Sequence, residues 1–331
     1  MPDSEAIDPI RETLELNDEL RWRLSAYLHE APRAITGEWM AEIDPGGALP
    51  EEAAFAALLA ALCGLDTGGS ARDKRMADAY LRPGVRRLDP GAYAGNPYYR
   101  DIRIPEERFG RWELRRETYA PFEGFVCGDL LLEPDFREIP PIGFFPEAFS
   151  FPVVQEEGRE WMAIKPNEIE TMQPALDRVE GRVLTLGLGL GYFAYMASLK
   201  ESVRSITVVE RDPDAIRLFE SRILPQFPHG EKLAIIQGDA FEYLENRMPR
   251  SPFDFAFVDL WHDASDGLEA YLRIRPMERL AQETEFLYWI EDSLLSGLRW
   301  RVFQDSPDHP GLAERLRRAS LRELAAHTPL A

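Results

Sequence analysis

The stretch Val183-Leu184-Thr185-Leu186-Gly187-Leu188-Gly189-Leu190-Gly191-Tyr192-Phe193-Ala194 decides how this 331-residue chain is read. Val183 to Leu186 is an apolar run of strand length, three glycines alternate through a tight turn, and Tyr192 opens a helix. Glycine suits such a turn for two reasons: sharp reversals call for positive φ, and a ligand can approach backbone only where no Cβ intervenes. The strand is therefore expected to end at a ligand. A G-x-G-x-G by itself also fits an ordinary strand-to-helix turn, so its surroundings have to decide.

Nineteen residues beyond Gly191, Ser205-Ile206-Thr207-Val208-Val209 reads as a second, β-branched strand closing on Glu210. A carboxylate about 20 residues after a glycine turn is placed to accept both hydroxyls of a ribose, which points to a nucleoside-containing cofactor. Asp212-Pro213 then supplies a helix cap and a first-turn proline ahead of an amphipathic run from Asp214 to Ile223. The pattern repeats. Lys232 to Gly238 reads as a third strand ending in Asp239, with Ala240 to Leu244 helical after it, and Phe253 to Leu260 reads as a fourth strand closed by Asp259. Near-continuous apolar strands alternating with helices predict a doubly wound α/β fold with a parallel sheet covered on both faces. Ligands of such sheets bind beyond the carboxyl ends of the strands, where Gly187, Glu210, Asp239 and Asp259 all fall.

On these motifs, residues 160 to about 300 resemble a class I S-adenosylmethionine-dependent methyltransferase domain, and within that superfamily the spermidine-synthase-like branch. The phrase Gly238-Asp239-Ala240-Phe241 is close to that branch's own wording. The resemblance implies a Rossmann-like methyltransferase sheet with S-adenosylmethionine as cofactor. Its methionine part would lie on Gly187, Leu188, Gly189 and Gly191, its ribose on Glu210 beside Arg211, and its adenine against Asp239 and Ala240, with Asp259 close to the sulfur. Residues 1 to 90 lie outside the resemblance. A dinucleotide-binding dehydrogenase is the competing reading of the same geometry. Its third glycine would fall at position 192, where Tyr192 would crowd a pyrophosphate.

The reaction is read from departures. True aminopropyltransferases carry an aspartate in the glycine turn where this chain has Leu190, and a second aspartate where it has His262, with Asp263 one place later. The expected activity is thus methyl transfer to an unidentified small-molecule acceptor. Spermidine-synthase-like aminopropyl transfer and non-catalytic binding of S-adenosylmethionine are the alternatives. Methyl transfer from a sulfonium is an in-line displacement: the protein holds the acceptor ~3 Å from the methyl and removes a proton if the nucleophile carries one. Asp259, His262 and Asp263 are the candidate catalytic residues, and the Trp261 indole can wall off the acceptor. The plainer alternative makes Trp261 core and His262-Asp263 a solvated loop capping the next helix.

Lys165 to Met172 predicts a helix start with Ile169, Met172, Leu176 and Val179 on one buried face. A structural role is expected there, with Glu168 the residue best placed to reach a pocket. Upstream, an amphipathic run at Asp8–Glu30, an alanine-rich apolar helix candidate at Glu51–Leu65 and the segment Ser70–Leu81 give an α-helical region over 1–90. Pro and Gly cluster at 83–97, and short aromatic runs follow to form a small β-rich region over 91–160, leaving 161–331 as the cofactor-binding domain. After Asp263 the reading forks: Glu285 to Ile290 (EFLYWI) serves as a fifth strand or as the start of a helix, and the antiparallel strands that normally complete a methyltransferase sheet are not evident.

The formal net charge is −20, and only Lys74, Lys165, Lys200 and Lys232 are lysines. With no basic stripe, nucleic-acid binding by phosphate neutralisation is not expected, whereas a cationic small molecule is easily accommodated. Cys63 and Cys127 are too few for a disulfide framework, and the five histidines show no metal-ligand spacing. The acidic start does not read as a signal peptide, and Ala53 to Leu65 is too short to span a bilayer, so a soluble cytoplasmic protein without membrane partners is expected. A homodimer stays open.

Overall fold

A computed structural model of the chain describes residues 4–250, 253–305, 316 and 319–325. The central element is a five-stranded sheet of β1 (Gly181–Leu186), β2 (Val203–Glu210), β3 (Leu233–Gln237), β4 (Phe255–Val258) and β5 (Glu285–Tyr288), all parallel and arranged β3-β2-β1-β4-β5. The chain enters at β1, winds outward to β3, then crosses back to β4 on the other side of β1. The crevice at that reversal, beyond the strands' carboxyl ends, is where doubly wound sheets bind ligands. The fold is thus the α/β, doubly wound, Rossmann-like one. The inner strands are buried as expected for a sheet covered on both faces: Val183, Leu184, Leu186, Val208, Ala256 and Val258 are all enclosed. β3, at an edge of the sheet, has no fully buried residue.

Three of the helices around the sheet start on aspartate caps. Helix α1 (Pro166–Arg178) precedes β1 and buries Ile169, Met172 and Leu176, with Val179 enclosed just after it. Helix α2 (Tyr192–Ser198) follows the glycine turn. Asp212 opens α3 (Pro213–Leu218), its Oδ1 accepting from Asp214 N at 2.7 Å and Ala215 N at 3.1 Å. The run read as one helix to Ile223 changes to a π-helical turn over Phe219–Ile223, where Phe219 packs against the glycine turn. Asp239 caps α4 (Ala240–Asn246) in the same way, and Asp263 caps α5 (Ala264–Ile274).

The fork after Asp263 resolves into both elements. β5 pairs in parallel with β4, and a helix follows over Glu291–Asp305. Phe286, Leu287 and Tyr288 are buried in succession, a pattern with neither a period of two nor one of 3.6. No antiparallel strand joins this sheet among the described residues.

The described residues divide into two compact units that interleave along the chain: those of 1–90, 118–149 and 292–329 form one, and those of 91–117 and 150–291 the other. The stretch read as one β-rich region, 91–160, is therefore shared between them. In the first unit the helix Ser4–Glu30 buries Ile10, Leu14, Asn17, Leu20, Leu24 and Tyr27, a stripe spaced by threes and fours. Its Leu20, Leu24 and Tyr27 share a core with the helix Glu51–Leu62 and a three-stranded sheet, where Phe55 and Phe144 stack at 4.3 Å. Buried Asn17 is satisfied: its Nδ2 donates to Phe136 O, and its Oδ1 accepts from Tyr80 Oη and Glu138 N. The second unit holds the parallel sheet and a four-stranded one whose last strand, Arg159–Ala163, carries Trp161 and Met162. Among the described residues no helix is long and apolar enough to cross a membrane, and no group of His, Cys, Asp and Glu could hold a metal ion.

Candidate functional site

Within the second unit, the carboxyl ends of β1, β2, β3 and β4 meet at an open cleft of about 180 Å³. It is lined by Gly187, Leu188 and Gly189 after β1, Glu210 and Arg211 at β2, Asp239 and Ala240 after β3, and Asp259 and His262 after β4. Of the cofactor-binding residues expected from sequence, all but Gly191 line it. Gly191 stands two residues past Gly189, as the left-handed N-cap of α2 at φ +74.

The glycine turn is held from the side by the residues before the sheet. Tyr98 Oη donates to Leu190 O at 2.6 Å, and Asn96 Nδ2 donates to Tyr192 Oη at 2.9 Å, so Tyr192 is buried and tied down behind the turn. Met162 lies over the turn itself. Its Sδ accepts from Leu190 N at 2.7 Å and occupies the space a Cβ on residue 189 would need. Gly189 is at φ +51 and has no side chain to lose, which is what lets a thioether seat there.

Glu210 spans the turn and the start of the next loop. Oε2 accepts from Leu188 N at 3.2 Å and Oε1 from Asp212 N at 2.8 Å. Burial pushes its carboxyl up, and the donation from Leu188 N works against that shift. Each oxygen keeps a further lone pair for a ligand hydroxyl. Asp239 uses Oδ1 to cap α4, accepting from Phe241 N at 2.8 Å and Glu242 N at 3.1 Å, while it lines the cleft.

Asp259 differs from both. Its backbone N donates to Leu186 O at 3.0 Å, extending the β1–β4 register, but among the described residues its carboxyl receives no hydrogen bond. Burial raises its pKa well above the ordinary range, and the nearby Glu168 carboxyl adds to the shift. Glu168, in the first turn of α1, is itself pushed up to about 7 by burial and by Glu160, with Lys165 and the Asn167 side chain opposing. A partly buried carboxyl without donors is costly unless a ligand supplies them.

His262 and Asp263 separate. The His262 ring lines the cleft, meets the Trp161 ring edge-on at 5.1 Å, and lies with Nδ1 3.2 Å from Asp266 Oδ2. Asp263 is not part of the cleft lining. Its Oδ1 accepts from Ser265 N and Ser265 Oγ at 2.7 and 2.6 Å, and with Asp266 it completes a capping box on α5. Trp261 is buried, stacks on Tyr288 and still forms part of the cleft wall.

Trp161, Met162 and Phe241 line the cleft without having been singled out from sequence. Phe241 sat within the quoted Gly238–Phe241 phrase. Trp161 and Met162 come from an antiparallel strand ahead of the sheet, and only their closeness to the Lys165–Met172 helix start could have flagged them.

No family model matches the sequence, and no curated relative is found. Among solved structures, the chain is similar to a spermidine synthase in complex with the transition-state analogue AdoDATO, at 20% identity over 33% of this chain and 39% of that one, with a TM-score of 0.27. It is also similar to the spermidine synthase from Thermotoga maritima, at 17% identity over 41% of this chain and 48% of that one, with a TM-score of 0.31. The chain spans less than half the length of either.

Proposed function

We propose that the chain binds an S-adenosylmethionine-type nucleoside in this cleft and transfers an alkyl group from it to a small acceptor, as a transferase of the class I methyltransferase superfamily and its spermidine-synthase-like branch. The observation that carries the reading is the Asp259 carboxyl, partly buried in the cleft lining with no donor among the described residues, with β1 between its strand and that of Glu210. The residues fit such a ligand on one further count: Glu210 keeps lone pairs for two hydroxyls.

Glu210 would hold the ribose, Asp239 and Ala240 the adenine, and the Gly187–Gly191 turn the methionine tail. When bound, S-adenosylmethionine supplies an activated methyl on a sulfonium sulfur. The chain's own part is then positioning and proton removal. Asp259 orients the acceptor and takes its proton, His262 offers Nε2 at the cleft wall, and Trp161 and Trp261 exclude water.

Methyl is the transferred group we assign first, because the buried apolar Leu190 offers no carboxylate to a propylamine tail. Aminopropyl transfer is the second reading, favoured by the Asp259 carboxyl in the cleft lining, which suits an ammonium. Product analysis separates them: methyl transfer leaves S-adenosylhomocysteine, and aminopropyl transfer from decarboxylated S-adenosylmethionine leaves 5′-methylthioadenosine. Asp259→Asn tests the chemistry in either case, since it keeps the shape and removes the basicity. Turnover should fall ~100-fold to 10,000-fold with cofactor affinity within a few-fold of the parent. Unchanged turnover would remove Asp259 from the reaction, and nucleoside binding without turnover on any acceptor would leave a binding protein.

A further inference from the structure

Met162 stands where the glycine turn faces the cleft. Its backbone is paired with Val154 in the antiparallel sheet, so the side chain is the part free to move. That side chain lines the main cleft, a small cavity by Met172 and Tyr192, and a third, largely apolar cavity walled by Trp112, Val154 and Leu218. It is thus a wall common to all three. The amides of the turn show what it covers. Gly187 N donates to Val209 O at 3.0 Å, Leu188 N to Glu210 Oε2 at 3.2 Å and Gly191 N to Leu188 O at 2.9 Å. Among the described residues Leu190 N has only the thioether sulfur of Met162, a weak acceptor, and Gly189 N has no partner. Two successive amides at a left-handed residue suit an anionic oxygen better than a sulfur.

We propose that Met162 is a specificity-determining residue of the cleft, its thioether holding the place of the carboxylate on a ligand's amino-acid tail. A nucleoside that bears such a tail must turn the thioether aside to reach Gly189 N and Leu190 N. A nucleoside with only a short 5′ substituent binds without moving it. Methionine suits this task because its side chain is unbranched, uncharged and rotatable about three bonds, so it covers the amides and still gives way. The third cavity shares Trp161, Met162, Gly189 and Glu210 with the cleft, and it adjoins the side chain that has to move. This inference rests on the nucleoside-binding reading given above.

The test is titration calorimetry of the full chain and of Met162→Ala with S-adenosylhomocysteine and 5′-methylthioadenosine, which share the nucleoside and the sulfur and differ in the amino-acid tail. Truncation should tighten S-adenosylhomocysteine ~3-fold to 10-fold, the size of one exchanged hydrogen bond, and leave 5′-methylthioadenosine within about twofold. No change for either ligand, equal changes for both, or weaker binding of S-adenosylhomocysteine overturns the role of Met162 and leaves the nucleoside reading in place. Should Met162→Ala fail to fold, amide NMR of the parent replaces it. The Leu190 amide signal should shift with S-adenosylhomocysteine and stay in place with 5′-methylthioadenosine, and a shift with both or with neither overturns the proposal. Binding of S-adenosylhomocysteine by Met162→Ala but not by the parent supports it. If neither protein binds either nucleoside, the nucleoside reading fails and the role of Met162 falls with it.

Discussion

The carbonyl oxygen of Asp259 stands 2.1 Å from the point where a Cβ on residue 187 would sit, and Gly187 itself is at φ +99. The end of β1 and the residue after β4 are thus pressed together with no room for a side chain, and Asp259 is placed by the same contact that shapes the glycine turn. Gly187→Ala should break both the backbone conformation and the approach, lowering stability by about 1–3 kcal/mol or more in chemical denaturation. A variant as stable as the parent would mean that the turn and Asp259 are not locked together.

Glu210 carries two loads, since it holds Leu188 N and Asp212 N and is assigned the ribose. Glu210→Ala removes all of these bonds, and a loss of ~1 to 3 kcal/mol corresponds to roughly 5-fold to 150-fold weaker nucleoside binding. Glu210→Gln keeps one acceptor oxygen and should lose less. Calorimetry showing equal affinities for all three proteins would separate Glu210 from the ligand.

Asp263→Ala distinguishes a cap from a catalyst. Loss of an N-cap aspartate costs about 1 kcal/mol of stability, and nucleoside affinity should stay within about twofold, because this side chain is turned to Ser265 and the start of α5. A collapse in turnover with unchanged stability would return Asp263 to the site.

Most of the cleft was legible because its residues follow local rules. A glycine turn after an apolar run and an acid closing each strand are patterns of short range, so Gly187, Glu210, Asp239 and Asp259 could be placed from the sequence. The same patterning could not separate function from capping. Asp239 and Asp263 are both aspartates ahead of a helix, and only the structure shows that Asp239 also lines the cleft and Asp263 does not. Met162 was beyond reach for another reason: its contact with Leu190 N joins residues 28 apart in sequence, through an antiparallel strand whose neighbours give no periodic signal toward the turn. Burial also erased the cue at Phe286-Leu287-Tyr288, where every residue is enclosed whichever way a strand or a helix would face it.

The Glu168 carboxyl makes the protein's stability pH-sensitive in a defined direction. Its folded-state pKa, about 7, lies above the ordinary 4.5, so its contribution is fully present below pH 4.5 and is lost as pH rises through 7. The shift corresponds to about 3 kcal/mol between those limits. Denaturation midpoints of the parent should fall across that window relative to Glu168→Gln, whose amide does not titrate. Parallel pH profiles for the two proteins would show that Glu168 is not held in its protonated form.

The account stands or falls on what the cleft binds, and titration calorimetry of the full chain against S-adenosylhomocysteine and NAD measures that directly. One molecule of S-adenosylhomocysteine per chain, weakened by Glu210→Ala, with no heat from NAD, is the expected result. Tight binding of NAD, or no binding of either nucleoside, would contradict it.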